Sequence, residues 1–162
     1  MTQSLPYGNF TFLSPEEVAS FDLNQIDNAN PTGYMLKVDL SFPDDIHDWM
    51  NDFVMAPDNR QVTQEDLSSY QQSLHRKLYP EKKGKHRSKK LVACFKTRRK
   101  YIVHGECLKF YIEQGCVLEK VHQILSFSQR PFLKPFVEKC AELRAAASSP
   151  IVKQIYKLVA NR

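Results

Sequence analysis

The sequence predicts an α+β fold, and three observations carry that prediction. Residues 34–40 alternate Tyr34, Leu36, Val38 and Leu40 with Met35, Lys37 and Asp39, the period of a strand with one face buried. Two helix-entry signatures, Ser14-Pro15 and Ser149-Pro150, stand near opposite ends of the chain. Strand-like and helix-like stretches follow one another without the regular alternation that a parallel sheet requires. With 162 residues and 42% hydrophobic content, the chain is long enough to bury a core of its own.

The elements follow in order. "NFTFLSPEEV" reads as a short strand and then a helix, with Ser14 as N-cap, Pro15 at the first helical position and Glu17 closing a capping box. "NANPTGYMLKVDLSFP" is a turn and a strand that Pro43 ends. "DDIHDWMNDFVMAPDNRQVT" is a polar loop anchored by Ile46, Trp49, Phe53 and Met55. Its cluster Asp44, Asp45, His47, Asp48 and Asp52 reads either as a metal-ligand group or as a solvated acidic loop, and it lacks an EF-hand glycine or a two-histidine motif. Thr63 with Asp66 three residues on predicts a capped helix running to about Tyr79.

"LVACF" and "KYIVH" read as two strands, a hairpin or a strand and an edge. "GECLKFYIEQG" is a helix with Leu108, Tyr111 and Ile112 on one face and Gly115 beyond its end. "CVLEKVHQILSFSQ" alternates as a strand does. "PFLKPFVEKCAELRAAASS" is helical from about Pro131 or Pro135, and "SPIVKQIYKLVANR" is a second helix with Ser149 as N-cap. In that last run Ile151, Ile155, Leu158 and Val159 form an apolar stripe with Lys153 and Lys157 on its flank.

Charge divides the chain more sharply than composition does. Residues 1–75 hold 12 acidic and 2 basic side chains, residues 76–100 hold 1 and 12, and residues 101–162 hold 5 and 9, so a net of +5 conceals a strongly basic middle. Within it, "PEKKGKHRSKK", residues 80–90, carries Lys82, Lys83, Lys85, Arg87, Lys89 and Lys90. Its two readings are a solvated charge run and a sequence-independent phosphate contact. The run also fits a nuclear localisation pattern, which adds the nucleus to the locations expected.

Neither a secretory leader nor a membrane-spanning run is visible, so a soluble, intracellular chain is expected, with no membrane partner. Cys94, Cys107, Cys116 and Cys140 are separated by 12, 8 and 23 residues, unlike a CxxC knuckle or a disulfide scaffold; they read as reduced thiols, with a zinc site through His104 and His122 as the alternative. There is no GxSxG, Walker loop or HExxH. Asp39 is the tempting metal-binding carboxylate.

Several collinear stretches together resemble one family: the protein-primed family B DNA polymerases of the organellar and viral branch, most closely those of Maverick/Polinton elements. "SLPYGNFTFLSPEEVASFDLN", "PTGYMLKVDLSFPDDIHDWMNDFVMAPD" and "KYIVHGECLKFYIEQGCVLEKVHQILSFSQRPFLKPFV" carry the resemblance, which covers nearly everything except the basic run. It implies an incomplete palm sheet plus a C-terminal helical pair: 1–75 as an acidic palm-side segment following motif A, 76–100 as a basic linker, and 101–162 as a fingers-side segment ending inside motif B. "DLSFP" has the wrong spacing for motif A, which makes Asp39 an ordinary strand residue and puts the family's metal-binding aspartates upstream of Met1 and downstream of Arg162.

On this resemblance the chain itself holds no metal and does not polymerise DNA alone, since in-line phosphoryl transfer needs carboxylates around two Mg ions. Arg144, Lys153, Lys157 and Asn161 match the family's basic positions and its motif B, where such side chains face the incoming dNTP. Val152, Gln154 and Ala160 depart from the family's Glu, Asp and Asn. The implied partners are DNA, dNTP and a terminal protein primer; the reading from another class is a non-enzymatic nucleic-acid-binding module that uses residues 76–100.

Overall fold

The computed structural model describes residues 2–80 and 89–161. Among the described residues six strands and six α-helices occur in the order β1 (Leu5–Phe12), α1 (Pro15–Ala19), β2 (Thr32–Ser41), α2 (His47–Met50), β3 (Asp58–Gln61), α3 (Ser69–Leu78), β4 (Lys89–Val92), β5 (Arg98–His104), α4 (Gly105–Glu113), β6 (Val117–Arg130), α5 (Lys134–Ala146) and α6 (Pro150–Ala160). The α+β class expected from the sequence holds. A curled, antiparallel half-barrel sheet of order β1-β6-β2-β5 dominates, and β3 and β4 form a separate antiparallel ribbon.

The alternation at 34–40 sets the faces of that sheet. Leu36 stands opposite Val103 and Ile124, Val38 opposite Tyr101 and Val121, and Leu40 opposite Arg98 and Leu118. Directly opposed residues share a face, and this face is the core: Leu36, Val38, Leu40 and Ile124 are fully buried, with Leu108 of α4 and Met50 of α2 packed in. Each such side chain contributes about 1.5–3 kcal/mol of burial. The opposite face carries Met35, Lys37 and Asp39 on β2, with Leu125, Gln123 and Lys120 beside them on β6.

Local chemistry explains the ends of the elements. Ser14 and Glu17 form the expected capping box, Glu17 Oε2 accepting from the Ser14 N–H at 2.7 Å. Helix α4 ends where Gly115 takes φ 96°, a left-handed conformation that suits glycine; its N–H donates to the Ile112 carbonyl at 2.9 Å. Gly33 is needed for space, because a Cβ there would lie 2.3 Å from both Phe127 and Gln129.

Three expectations change. Trp49 and Phe53 are exposed while Met50 is buried, so the short helix faces the core with the neighbouring side chain. The Thr63–Asp66 capping box closes only a 3-10 turn, and α3 starts later, at Ser69, behind a second box made by Ser68 and Gln71. "LVACF" and "KYIVH" do supply strands but no hairpin: β4 pairs with β3, and β5 is the edge of the large sheet.

Helices α5 and α6 pack chiefly on each other. Tyr156 and Ala160 are half-buried, whereas Ile151, Ile155 and Leu158 remain exposed. Ser149 precedes α6 with Pro150 at its first position, as expected, but the serine hydroxyl makes no capping hydrogen bond.

Candidate functional site

Arg144 lies in the last turn of α5, Lys153 and Lys157 lie one turn apart on α6, and Asn161 follows the helix. All four are exposed. Among the described residues none of these cations takes part in an ion pair, whereas Lys134 and Lys139 of α5 pair with Glu138 and Glu142. The helical pair therefore offers three cations whose charge is not already offset by a neighbouring carboxylate.

Of the basic run, Lys82, Lys83, Lys85 and Arg87 lie outside the described residues. Lys89 and Lys90 belong to β4 and are exposed. They are consecutive on a strand, so they point to opposite faces of the ribbon and do not form one patch. Other cations of the segment serve the fold. Arg98 is 3% exposed, donating from Nε to the Ala56 carbonyl at 2.7 Å and from Nη2 to the Cys94 carbonyl at 2.6 Å, while its guanidinium stacks over Phe42.

Asp39 is not an ordinary strand residue. It sits where β2 meets irregular pairing on both sides: Arg99 and Lys100 together oppose it on β5, and Glu119 and His122 fall out of register on β6. Bulges of this kind re-aim side chains and recur beside functional sites. Lys100, at φ 53°, donates its N–H to Asp39 Oδ1 at 2.7 Å. Nε2 of His122 donates to the same oxygen at 2.8 Å, and Nη1 of Arg99 to Oδ2 at 3.1 Å. The Lys100 N–H, reinforced by His122 and Arg99, holds the carboxyl down at about 2 against the effect of burial.

A second charged group was invisible in the sequence. Asp66 accepts from both terminal nitrogens of Arg60, at 2.8 and 2.6 Å, from Lys96 Nζ at 2.8 Å and from the Thr63 N–H at 2.8 Å. Arg60 and then Lys96 hold its carboxyl far below the usual range, and Asp66 in turn raises the guanidinium. Arg60 Nη2 and Arg98 Nη1 also approach Cys94 Sγ, at 3.9 and 3.6 Å. Burial raises that thiol, but the Lys96 N–H and the two guanidiniums outweigh it and lower its pKa. The only local signal was the Thr63–Asp66 spacing, which marks a cap and does not reveal a partner 30 residues downstream.

These groups do not fit a two-magnesium centre. Both oxygens of Asp39 already accept from N–H donors. Among the described residues no three His, Cys, Asp or Glu side chains come together to hold a metal. His47 of the acidic loop instead donates from Nε2 to the Phe42 carbonyl at 2.9 Å and stacks on Phe95 with ring centroids 4.1 Å apart. Of the residues in the zinc alternative, His122 is engaged by Asp39, and Cys116 and Cys140 are buried. No helix is long and apolar enough to cross a membrane among the described residues.

No protein-family model, curated protein or solved structure matches the chain.

Proposed function

We propose that this chain is the palm-to-fingers stretch of a protein-primed family B DNA polymerase and serves template-directed DNA synthesis together with metal-binding carboxylates that it does not itself contain. The observation that carries the reading is the helical pair: α5 and α6 lean on each other and expose Arg144, Lys153 and Lys157 without ion-pair partners among the described residues. Fixed cations of this kind offset the charge of a triphosphate. The exposed stripe Ile151, Ile155 and Leu158 adds a face that a larger assembly would cover.

The test is the coding DNA on either side. An in-frame D-x-N-N-L-Y-G upstream, with the remainder of motif B and a D-T-D downstream, is expected; open frames on both sides that carry none of these overturn the reading. The purified chain with magnesium and dNTPs is expected to extend no primer, and measurable incorporation would place the metal-binding carboxylates within it.

A second reading, a non-enzymatic nucleic-acid-binding module, is favoured by a different observation. Lys89 and Lys90 are exposed within residues 76–100, a segment with 12 basic residues and 1 acidic one. It predicts DNA binding that weakens steeply between low and moderate salt.

A further inference from the structure

We propose that the open face of the four-stranded sheet docks single-stranded nucleic acid, with phosphates against Lys37, Arg99, Lys120 and His122 and bases stacked on Phe10 and Phe12. The proposal rests on the nucleic-acid reading above but assigns it to a surface outside the basic run.

Strand register places these side chains together. Phe12 stands opposite Leu125, which stands opposite Met35, so all three share the face that carries Lys37. Phe10 joins them through Phe127, with ring centroids 6.1 Å apart. Lys120 stands opposite Asp39 on the same face, and Asp39 holds Arg99 and His122 beside it. Across β1, β6, β2 and β5 the group spans roughly 15 Å, three strand spacings.

Two properties of this face select the occupant. Phe10 and Phe12 are 59% and 61% exposed, which is costly for phenylalanine unless something covers it. The same face has exposed Lys120 and Arg99, whose charge a purely apolar partner would strip of water without replacement. The carboxylates there are already engaged: Asp39 by three donors, and Glu119 by the Ser41 hydroxyl at 2.5 Å. A single strand brings both phosphate charge and unstacked base faces, whereas a duplex keeps its bases stacked inside. Asp39 also pre-positions the Arg99 and His122 side chains, so less ordering is needed on binding.

The experiment is fluorescence anisotropy of a labelled oligothymidine at low salt with the full chain, the double variant F10A/F12A and the double variant K37E/K120E. Aromatic removal is expected to weaken binding roughly tenfold or more. Charge reversal is expected to weaken it and to flatten the salt dependence by at least about 1.4, the share of two single-strand phosphate contacts. A duplex of the same length is expected to bind less tightly. If F10A/F12A melts early, the lysine variant decides. Undiminished binding in K37E/K120E, lost instead when Lys82, Lys83, Lys85 and Arg87 are neutralised, overturns this proposal and leaves the nucleic-acid reading standing. Equal binding of the duplex also overturns it. No binding of any oligonucleotide at low salt overturns both.

Discussion

Asp39 and His122 lie 83 residues apart in the chain and 2.8 Å apart in the sheet, carboxylate Oδ1 to imidazole Nε2. The Lys100 N–H, with His122 and Arg99, holds the Asp39 carboxyl at about 2, below the value of about 3.9 in an unfolded chain. A depressed carboxyl contributes stability that is fully present above the unfolded value and is lost as pH falls through the folded one. Thermal melts of the wild type should therefore lose this contribution between about pH 4 and pH 2. In D39N that part of the acid dependence should be flatter and the neutral-pH melting temperature lower; an unchanged acid profile would show that the bonds to Asp39 do not act on stability.

Much of the fold was legible, and its limits have physical causes. The strand at 34–40, the helix before Gly115 and the Ser14–Glu17 box are fixed by patterns within a few residues, and each formed as read. Trp49 and Phe53 misled because one turn of helix has no period long enough to show which side faces inward. The basic segment was legible as charge but not as available charge. Lys96 is held by Asp66 and Arg98 is buried under Phe42, whereas Arg99, though tied to Asp39, stays exposed. Those partners lie 30 to 60 residues away or in another element, and no local spacing encodes them.

Cys94 should alkylate at lower pH than buried Cys116. The Lys96 N–H and the guanidiniums of Arg98 and Arg60 stabilise the Cys94 thiolate, while burial pushes the Cys116 thiol up. Iodoacetamide labelling of the native protein over a pH series, read peptide by peptide in a mass spectrometer, should show Cys94 rising to its half-maximal rate below about pH 8.5, the ordinary thiol value. Cys116 should stay unlabelled until the protein is unfolded. A Cys94 profile at or above the ordinary value would mean that the two arginines do not reach the sulfur in solution.

Leu36 tests the core directly. It is fully buried between Val103 and Ile124, and its removal leaves a cavity that the two flanking strands are poorly placed to fill. L36A should lose about 2–5 kcal/mol in urea unfolding with the slope retained, and L36M less than about 1.5 kcal/mol. Similar small losses for both would mean that the sheet does not pack around this side chain.

Lys153 and Lys157 should be neutral for stability and costly for phosphate binding. Both are exposed on one flank of α6, and neither has an ion pair among the described residues, so K153A/K157A should shift unfolding by less than about 0.5 kcal/mol. If the two lysines meet phosphates, each accounts for one released counterion. The slope of log affinity against log salt should then become shallower by about 1.4 for a single strand and about 1.8 for a duplex. Anisotropy titrations at several salt concentrations measure that slope without reference to absolute affinity, which separates lost contacts from damaged protein. An unchanged slope would remove α6 from the interface and leave the basic run or the sheet face to carry any binding that remains.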